Sequence, residues 1–288
     1  MSRHGQPNLT TLFTAMTENL FHRLHTALAS DDIEQKPLLA QQLYDDWRAN
    51  KFELPVNGAQ NIPLVHGVPP RPEIVPGAKV PRRSPAMREG RAALLHAVAH
   101  IEYSAIDLAL DHAYRFRGLP RDYYADWLRV AADEARHFGL LRNYLQALGY
   151  DYGDFPVHDS LWQMAAKTKD DVLSRMAIVP RLMEARGLDA TPPIRAKLLQ
   201  VGDHEAVRIL DIILNDEIIH VSIGDKWFRF FCAQQNVEPD ATYRELIVRY
   251  AAPWPQSPMN EKARRAAGFG EDELRQLANR KRGERDNT

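Results

Sequence analysis

Apolar residues recur every three or four positions along most of the chain, which is the spacing of an α-helix that buries one face. Pro120 and Gly149 mark the start and the end of one such stretch, and Gly187 and the pair Pro192-Pro193 separate two others. The pattern predicts four long helices, which span residues 86–114, 121–148, 158–186 and 193–233.

Shorter helical patterns flank these four helices. Residues 7–50 predict two helices, and residues 240–281 predict several short ones. Eight prolines and no helical period between residues 52 and 86 predict an extended connector, which exceeds the usual loop length and is expected to pack over the long helices. We expect N-terminal helices with this connector, a central bundle, and short C-terminal helices with a basic tail, over residues 1–86, 87–233 and 234–288.

Two stretches of the long helices repeat one another. Each has a lone glutamate followed by an Asp-Glu-x-x-His motif, and the two sets are Glu102 with Asp133, Glu134 and His137, and Glu184 with Asp216, Glu217 and His220. The corresponding glutamates and histidines are 82, 83 and 83 residues apart. A glutamate and a histidine three positions apart lie on one helix face, so both can reach one metal ion. Four carboxylates and two imidazoles on four helices are the ligand set of a carboxylate-bridged two-metal centre.

The apolar surroundings of these residues favour a buried site over solvated Glu–His pairs on exposed helix faces. Val130 precedes the first motif and Trp227 follows the second, each on the same helical stripe as the motif. Pro180 is expected to interrupt the stripe that contains Glu184. A buried carboxylate without a partner is very costly, and metal ions would neutralise all four.

Carboxylate and imidazole ligands suit iron and manganese. A metal-bound histidine normally donates its second ring N–H to a carboxylate, which fixes its orientation. Asp133 and Asp216 are candidates for this role, each toward the histidine of the other motif if the helices pack antiparallel; the alternative is that both are surface acids. The remaining helical histidines lie off the stripes or at helix ends, and we interpret them as non-ligands: His96, His100, His112, His158 and His204.

The composition is typical of a globular protein of the cytoplasm. Of 288 residues 44% are apolar and 26% charged, and a net charge of −1 gives no general attraction to nucleic acid or anionic membranes. No apolar run approaches 18 residues and no signal-peptide core is visible, so we expect neither a membrane span nor export. Cys232 is the only cysteine, which fits a reducing compartment. The basic tail can contact nucleic acid, but its interleaved acidic residues favour a plain solvated terminus.

The connection between the second and third helices, residues 149–158, is longer than the other two. One long connection at this place is typical of a ferritin-like topology. The sequence therefore predicts an all-α fold, a ferritin-like four-helix bundle with one long crossover and helical N- and C-terminal extensions.

The paired motifs resemble the signature of ferritin-like di-iron carboxylate enzymes, such as the ribonucleotide reductase radical subunit, bacterial monooxygenase hydroxylases and acyl-carrier desaturases. The second motif departs from that signature at Ile219, where many members carry an arginine. The resemblance implies two bridging glutamates, Glu134 and Glu217. It implies that the remaining pairs complete one metal ion each, Glu102 with His137 and Glu184 with His220.

More closely, the chain resembles an uncharacterised bacterial family of ferritin-like proteins known as a domain of unknown function. The segments that carry this likeness are DWLRVAADEARHF (126–138), GYDYGDFPVHDSLW (149–162), VPRLMEARGLDATP (179–192) and NDEIIHVSIGDKWF (215–228). A more distant resemblance, at the level of the fold, is to the di-iron enzyme that hydroxylates a modified base in tRNA. Such kinship does not identify a substrate.

The ligand set and the resemblance together predict an O2-dependent oxidoreductase, a hydroxylase or oxidase with two iron ions, with manganese or a mixed Mn/Fe pair as alternatives. Its partners are expected to be O2 and a small-molecule or modified-base substrate; the electron donor and the oligomeric state stay open. Two other function classes remain, a ferroxidase or iron-handling protein and a non-catalytic ferritin-like scaffold. The 86 residues before the bundle argue against a cage subunit, which needs little beyond the bundle.

Overall fold

The computed structural model describes residues 18–54, 62–81 and 84–279. Over these ranges the protein is predominantly helical, and the strands found there are β1 (Glu18–Asn19) and β2 (Phe52–Glu53), which pair in parallel. The predicted all-α class is confirmed. The beginning of the first predicted N-terminal helix and the basic tail lie outside the described residues.

The α-helices of these ranges follow one another in the order α1 (Leu20–Ala29), α2 (Gln35–Arg48), α3 (Arg88–Arg115), α4 (Arg121–Ala147), α5 (Ser160–Lys167), α6 (Val172–Ile178), α7 (Ala185–Gln200), α8 (His204–Gln235), α9 (Pro239–Arg249), α10 (Glu261–Ala266) and α11 (Glu271–Asn279). A π-helix, Val179–Glu184, joins α6 to α7.

Two groups of long helices form the centre of the fold. Helix α3 packs along α4, while α8 packs along α6, the π-helix and α7; α4 and α8 join the two groups. The bounds of α3 and α4 lie within two residues of those predicted from the sequence. Both helices follow a continuous apolar stripe, and Pro120 and Gly149 mark the two ends of α4.

Helix α3 is more apolar than the sequence analysis expected. By length and composition it is the one helix of the described ranges that could cross a membrane. Its apolar stretch is 61% buried inside the protein, and the core helix of a soluble protein passes the same test. The burial accounts for the apolar composition without a membrane.

The third predicted helix, residues 158–186, is not continuous. Helix α5 ends at Lys167, and the Asp171 carboxylate caps the start of α6 by accepting backbone N–H bonds. The interruption expected at Pro180 is present as the π-helix. Proline lacks the N–H that an α-helical hydrogen bond needs, and a π-helical turn accommodates this loss.

The predicted boundary between the third and fourth helices, at residues 187–193, is wrong. Helix α7 runs through Gly187 and through the pair Pro192-Pro193. Pro192 has no N–H for the carbonyl of Leu188, and the side-chain amide of Asn260 donates to that carbonyl at 3.2 Å instead. A partner far away in sequence thus replaces the lost helical hydrogen bond, and the helix continues.

The boundary lies at residues 201–203. Gly202 adopts a φ of +76°, a left-handed conformation that glycine takes at little cost and that ends α7. Asp203 then caps α8, since its carboxylate accepts a hydrogen bond from the N–H of Ala206 at 3.1 Å. The fourth long helix therefore begins eleven residues later than the predicted position 193.

Residues 62–81 of the predicted connector pack on the helices. The N–H of Gly67 donates to the carbonyl of Leu28 in α1 at 2.7 Å. The N–H of Val75 donates to the carbonyl of Val157, in the crossover between α4 and α5, at 2.8 Å. These bonds hold residues 62–81 against α1 and the crossover.

The π-helix lies close against α8 at Gly224, where an added Cβ would be 2.8 Å from the Cβ of Pro180. Gly224→Ala is therefore expected to push the segments apart and to lower the free energy of unfolding by about 1–3 kcal/mol. Gly139→Ala in α4 is the matched control, because a Cβ there meets nothing within 4 Å; it is expected to stabilise the helix by about 0.5–1 kcal/mol. Denaturant unfolding measures the free energy of unfolding of both variants. Equal values would contradict the close approach of the π-helix to α8 at Gly224.

Candidate metal centre

The six side chains predicted as ligands enter one region from four segments. They are Glu102 from α3, Glu134 and His137 from α4, Glu184 from the end of the π-helix, and Glu217 and His220 from α8. Four of them are buried and so close that one oxygen or nitrogen atom of each lies within 4.8 Å of the others: Glu102, Glu134, His137 and Glu217. This group can hold a metal ion.

Glu134 lies between the two histidines. Nδ1 of His220 is 2.9 Å from its Oε1 atom, and Nδ1 of His137 is 3.4 Å from its Oε2 atom. The side chain is only 1% exposed, yet neither oxygen accepts a hydrogen bond within the described part of the chain. Each oxygen has a histidine ring nitrogen as a close neighbour but no well-directed hydrogen bond, so both oxygens can bind a ligand.

Glu102 and Glu217 each contact one of the same two histidines. Oε2 of Glu102 is 3.0 Å from Nδ1 of His137, and Oε1 of Glu217 is 3.3 Å from Nδ1 of His220. Each histidine therefore points the same ring nitrogen, Nδ1, at two glutamates. In each half of the cluster that nitrogen and the two carboxylates face a common space.

Glu184 approaches from the π-helix. Its Oε2 atom is buried and accepts no hydrogen bond from the residues that the structure describes. Burial, followed by the negative charges of Glu217 and Glu134, raises the pKa of Glu184 well above its usual range. Glu184 thus shares the electrostatic environment of the cluster, although it lies outside the tight group of four.

The two motif aspartates each contact the histidine of the other motif. Oδ2 of Asp216 lies 3.0 Å from Nε2 of His137, and Oδ2 of Asp133 lies 3.4 Å from Nε2 of His220. The hydrogen bond with His137 is the main cause that holds the pKa of Asp216 well below its usual range. Both imidazoles are thereby oriented with Nε2 toward an aspartate and Nδ1 toward the glutamates.

Arg136 joins the two aspartates, a contact that the spacing of the motifs does not predict. Its guanidinium group donates to Asp216 at 2.7 Å and to Asp133 at 3.3 Å. Ile219 takes the corresponding position in the second motif and is partly exposed. The two halves of the cluster are therefore not equivalent. Arg136 lies inside the first motif, but only the packing of α4 on α8 brings it to Asp216.

The pKa values in the cluster reflect many carboxylates in a small buried volume. Burial and the charge of Glu134 raise the pKa of Glu102 to about 7. Burial acts to lower the pKa of His137, but hydrogen bonds to carboxylates, Asp216 first, raise it to about 12. Metal ligands must be deprotonated, so a metal ion that binds here would displace protons.

Comparison with known proteins shows the family to which the chain belongs. A family model described as "Protein of unknown function (DUF455)" matches residues 29–275. The chain belongs to this family. It is also 40% identical over 271 residues to an "Uncharacterized protein" of Haemophilus influenzae, and the match covers 91% of this chain and 94% of that protein. No solved structure matches the chain.

The DUF455 match spans much more than the cluster. It begins at the end of α1, ends within α11, and contains all six candidate ligands and both aspartates. The connector and the C-terminal helices up to residue 275 therefore belong to the region that the family shares, together with the cluster.

Three histidines of α3 lie outside the cluster. Nε2 of His96 accepts a hydrogen bond from the N–H of Gly153 at 2.8 Å, and Nδ1 of His100 is 2.8 Å from the hydroxyl of Tyr152. Burial lowers the pKa of both imidazoles to about 4. His112 is fully buried, which lowers its pKa well below the usual range. The first two tie α3 to the crossover.

Proposed function

We propose that this chain is an O2-dependent oxidoreductase with a carboxylate-bridged pair of metal ions, iron before manganese or a mixed Mn/Fe pair. In this proposal a ferritin-like bundle surrounds the metals. Its four parts are α3, α4, the continuous segment from α6 through the π-helix to α7, and α8. The proposed ligands are Glu102, Glu134, His137, Glu184, Glu217 and His220. The substrate is an organic molecule that is hydroxylated or oxidised.

The carboxylate of Glu134 is the observation that carries this proposal. Its two oxygens are buried, accept no hydrogen bond within the described ranges, and face Nδ1 of His137 and Nδ1 of His220 respectively. A carboxylate placed in this way can give one oxygen to each of two ions. Oxygen and imidazole donors without any thiolate suit iron or manganese.

When bound, two such ions would supply redox chemistry for the reduction of O2 and the oxidation of an organic molecule. The chain's own residues hold and orient the donors. Asp216 and Asp133 fix the imidazoles through Nε2, and Arg136 holds both aspartates in place. Burial of the cluster excludes water, which would otherwise quench a strong oxidant.

Oxygen consumption tests the proposed activity. The protein is loaded with ferrous iron without air, its size is measured by light scattering, and O2 uptake is followed with a chemical reductant present. We expect repeated O2 consumption by a small assembly, and none by the variant Glu134→Ala. Iron that accumulates far beyond two ions per chain in a large assembly would instead indicate iron storage. Metal binding without any O2 uptake would indicate a scaffold.

Asp216→Asn is expected to weaken the binding of one metal ion by about 10–100-fold, because His137 loses the charged acceptor that orients it. Asp211→Asn is the matched control on the same helix. Its carboxylate pairs with Arg195 in a part-exposed ion pair outside the cluster. Metal titration of both variants measures the difference, and equal affinities of the two variants for both ions would argue against an orienting role for Asp216.

A further inference from the structure

Arg181 is a fully buried cation in the π-helix that also carries Glu184. Its Nε atom lies 2.7 Å from Oδ1 of Asp225 in α8, and its Nη1 atom lies 2.7 Å from Oε1 of Glu273 in α11. The third guanidinium nitrogen, Nη2, donates to Oε2 of Glu273 at 2.9 Å. The two carboxylates offset the charge of Arg181, which could not otherwise be buried at acceptable cost. Both also pair with Arg229, Asp225 at 2.9 Å and Glu273 at 3.7 Å.

Aromatic rings enclose the same guanidinium group. Its central carbon lies 4.1 Å from the ring centre of Tyr243, 4.4 Å from that of Phe269 and 5.0 Å from that of Phe228. The hydroxyl of Tyr243 also donates to the backbone carbonyl of Arg181 at 3.4 Å. Tyr243 lies in α9 and Phe269 lies between α10 and α11, so the C-terminal helices supply most of this enclosure.

Arg181 and Glu184 are three residues apart, and their side chains meet different partners. The arginine contacts α8 and the C-terminal helices, whereas the glutamate shares the electrostatic environment of the carboxylate–histidine cluster. A π-helix places its side chains differently from an α-helix, so the position of Glu184 depends on this segment keeping its conformation. Pro180 and Gly224 fix the segment against α8, and Arg181 fixes it against the C-terminal helices.

We propose that Arg181 is a positioning residue: its ion pair with Glu273, inside the aromatic enclosure, holds the π-helix so that Glu184 reaches the metal cluster. The C-terminal helices are then part of the metal site, although they contribute no ligand. The role of Glu184 as a ligand rests on the proposed function, whereas the fixing of the segment does not.

Two carboxylate-to-amide variants of the full chain test this proposal. Glu273→Gln weakens the pairing with Arg181. Asp189→Asn is the matched control, because Asp189 pairs at 2.7 Å with Arg264, which is also fully buried and also joins a C-terminal helix to the bundle. Its attachment point is α7 and not the π-helix. Melting temperatures establish that both variants fold.

Titration with Mn²⁺ is the first measurement. Glu273→Gln is expected to weaken one of the two metal equivalents by about tenfold, in line with the effect of residues that orient ligands; Asp189→Asn is expected to leave both unchanged. Unchanged binding in Glu273→Gln, or equal weakening in both variants, would overturn the proposal. If Glu273→Gln does not fold, Glu273→Asp replaces it, because aspartate keeps the negative charge on a shorter side chain. This variant is expected to weaken the same metal equivalent, but by less than Glu273→Gln.

Hydrogen exchange of residues 179–184 in the metal-free protein is the second measurement. Faster exchange in Glu273→Gln than in Asp189→Asn supports the fixing role, and equal exchange overturns it. This readout does not need a metal. If the unchanged protein bound no Mn²⁺ or iron, the proposed function would fail, and the exchange rates would still decide whether Arg181 holds the segment.

Discussion

Glu134→Ala is expected to abolish metal binding at both positions of the cluster. Among the described residues its carboxylate is the group that faces both histidines, through Oε1 toward His220 and Oε2 toward His137. Loss of a bridging carboxylate removes a donor from each ion and leaves the neighbouring carboxylates without the cation that neutralises them. Metal analysis after equilibration with ferrous iron and gel filtration measures the retained ions.

His96→Ala is the control for this variant. His96 is as deeply buried as Glu134 and lies on α3, but its Nε2 atom accepts a hydrogen bond from the N–H of Gly153 in the crossover. The control is expected to lose stability because it leaves a cavity, and to retain both ions. Equal loss of metal in the two variants would reject the central place of Glu134.

Asp111→Ala is expected to lower the free energy of unfolding by about 3–5 kcal/mol, without loss of metal ligands. Asp111 of α3 is fully buried and pairs with Arg115 at 2.6 Å and with Arg175 of α6 at 2.5 Å. Its removal leaves two buried guanidinium groups without their carboxylate. Arg175 keeps its hydrogen bonds to the Ala165 carbonyl and the Thr168 hydroxyl, but neither supplies a charge.

Glu205→Gln is the matched control for Asp111→Ala, because its ion pair with Arg208 is about half exposed on both sides. Exposed pairs of this kind contribute about 0–1 kcal/mol. Urea unfolding of the two metal-free variants compares a buried pair with an exposed one. If Asp111→Ala lowered the free energy of unfolding no more than Glu205→Gln does, the Asp111 network would not stabilise the packing of α6 on α3.

The sequence predicted those parts of the fold that depend on local signals. Helices α3 and α4 have continuous apolar stripes, and their predicted bounds hold to within two residues. The approach of Glu134, His137, Glu217 and His220 could be predicted because the spacing of the two motifs is helical and the ligand types are distinctive. The spacing inside each motif depends on no distant residue, whereas the meeting of the two motifs also needs α4 to pack against α8.

The parts that the sequence did not predict depend on distant partners. Helix α7 continues through Pro192 because Asn260, far along the chain, donates to the carbonyl that the proline leaves free. The bridge made by Arg136 requires α4 to pack against α8, and the burial of Arg181 requires α11 to supply Glu273. Such partners have no fixed spacing in the sequence and appear only when the helices are packed.

Anomalous X-ray diffraction from crystals of the metal-loaded protein tests the central claim most directly. Data collected on both sides of the iron and manganese absorption edges locate and identify bound ions. The account predicts two peaks about 3.5–4 Å apart, the separation usual for two-metal sites, with Glu134 between them and His137 and His220 on opposite sides. A single peak, peaks elsewhere in the protein, or no peak after loading with either metal would contradict it.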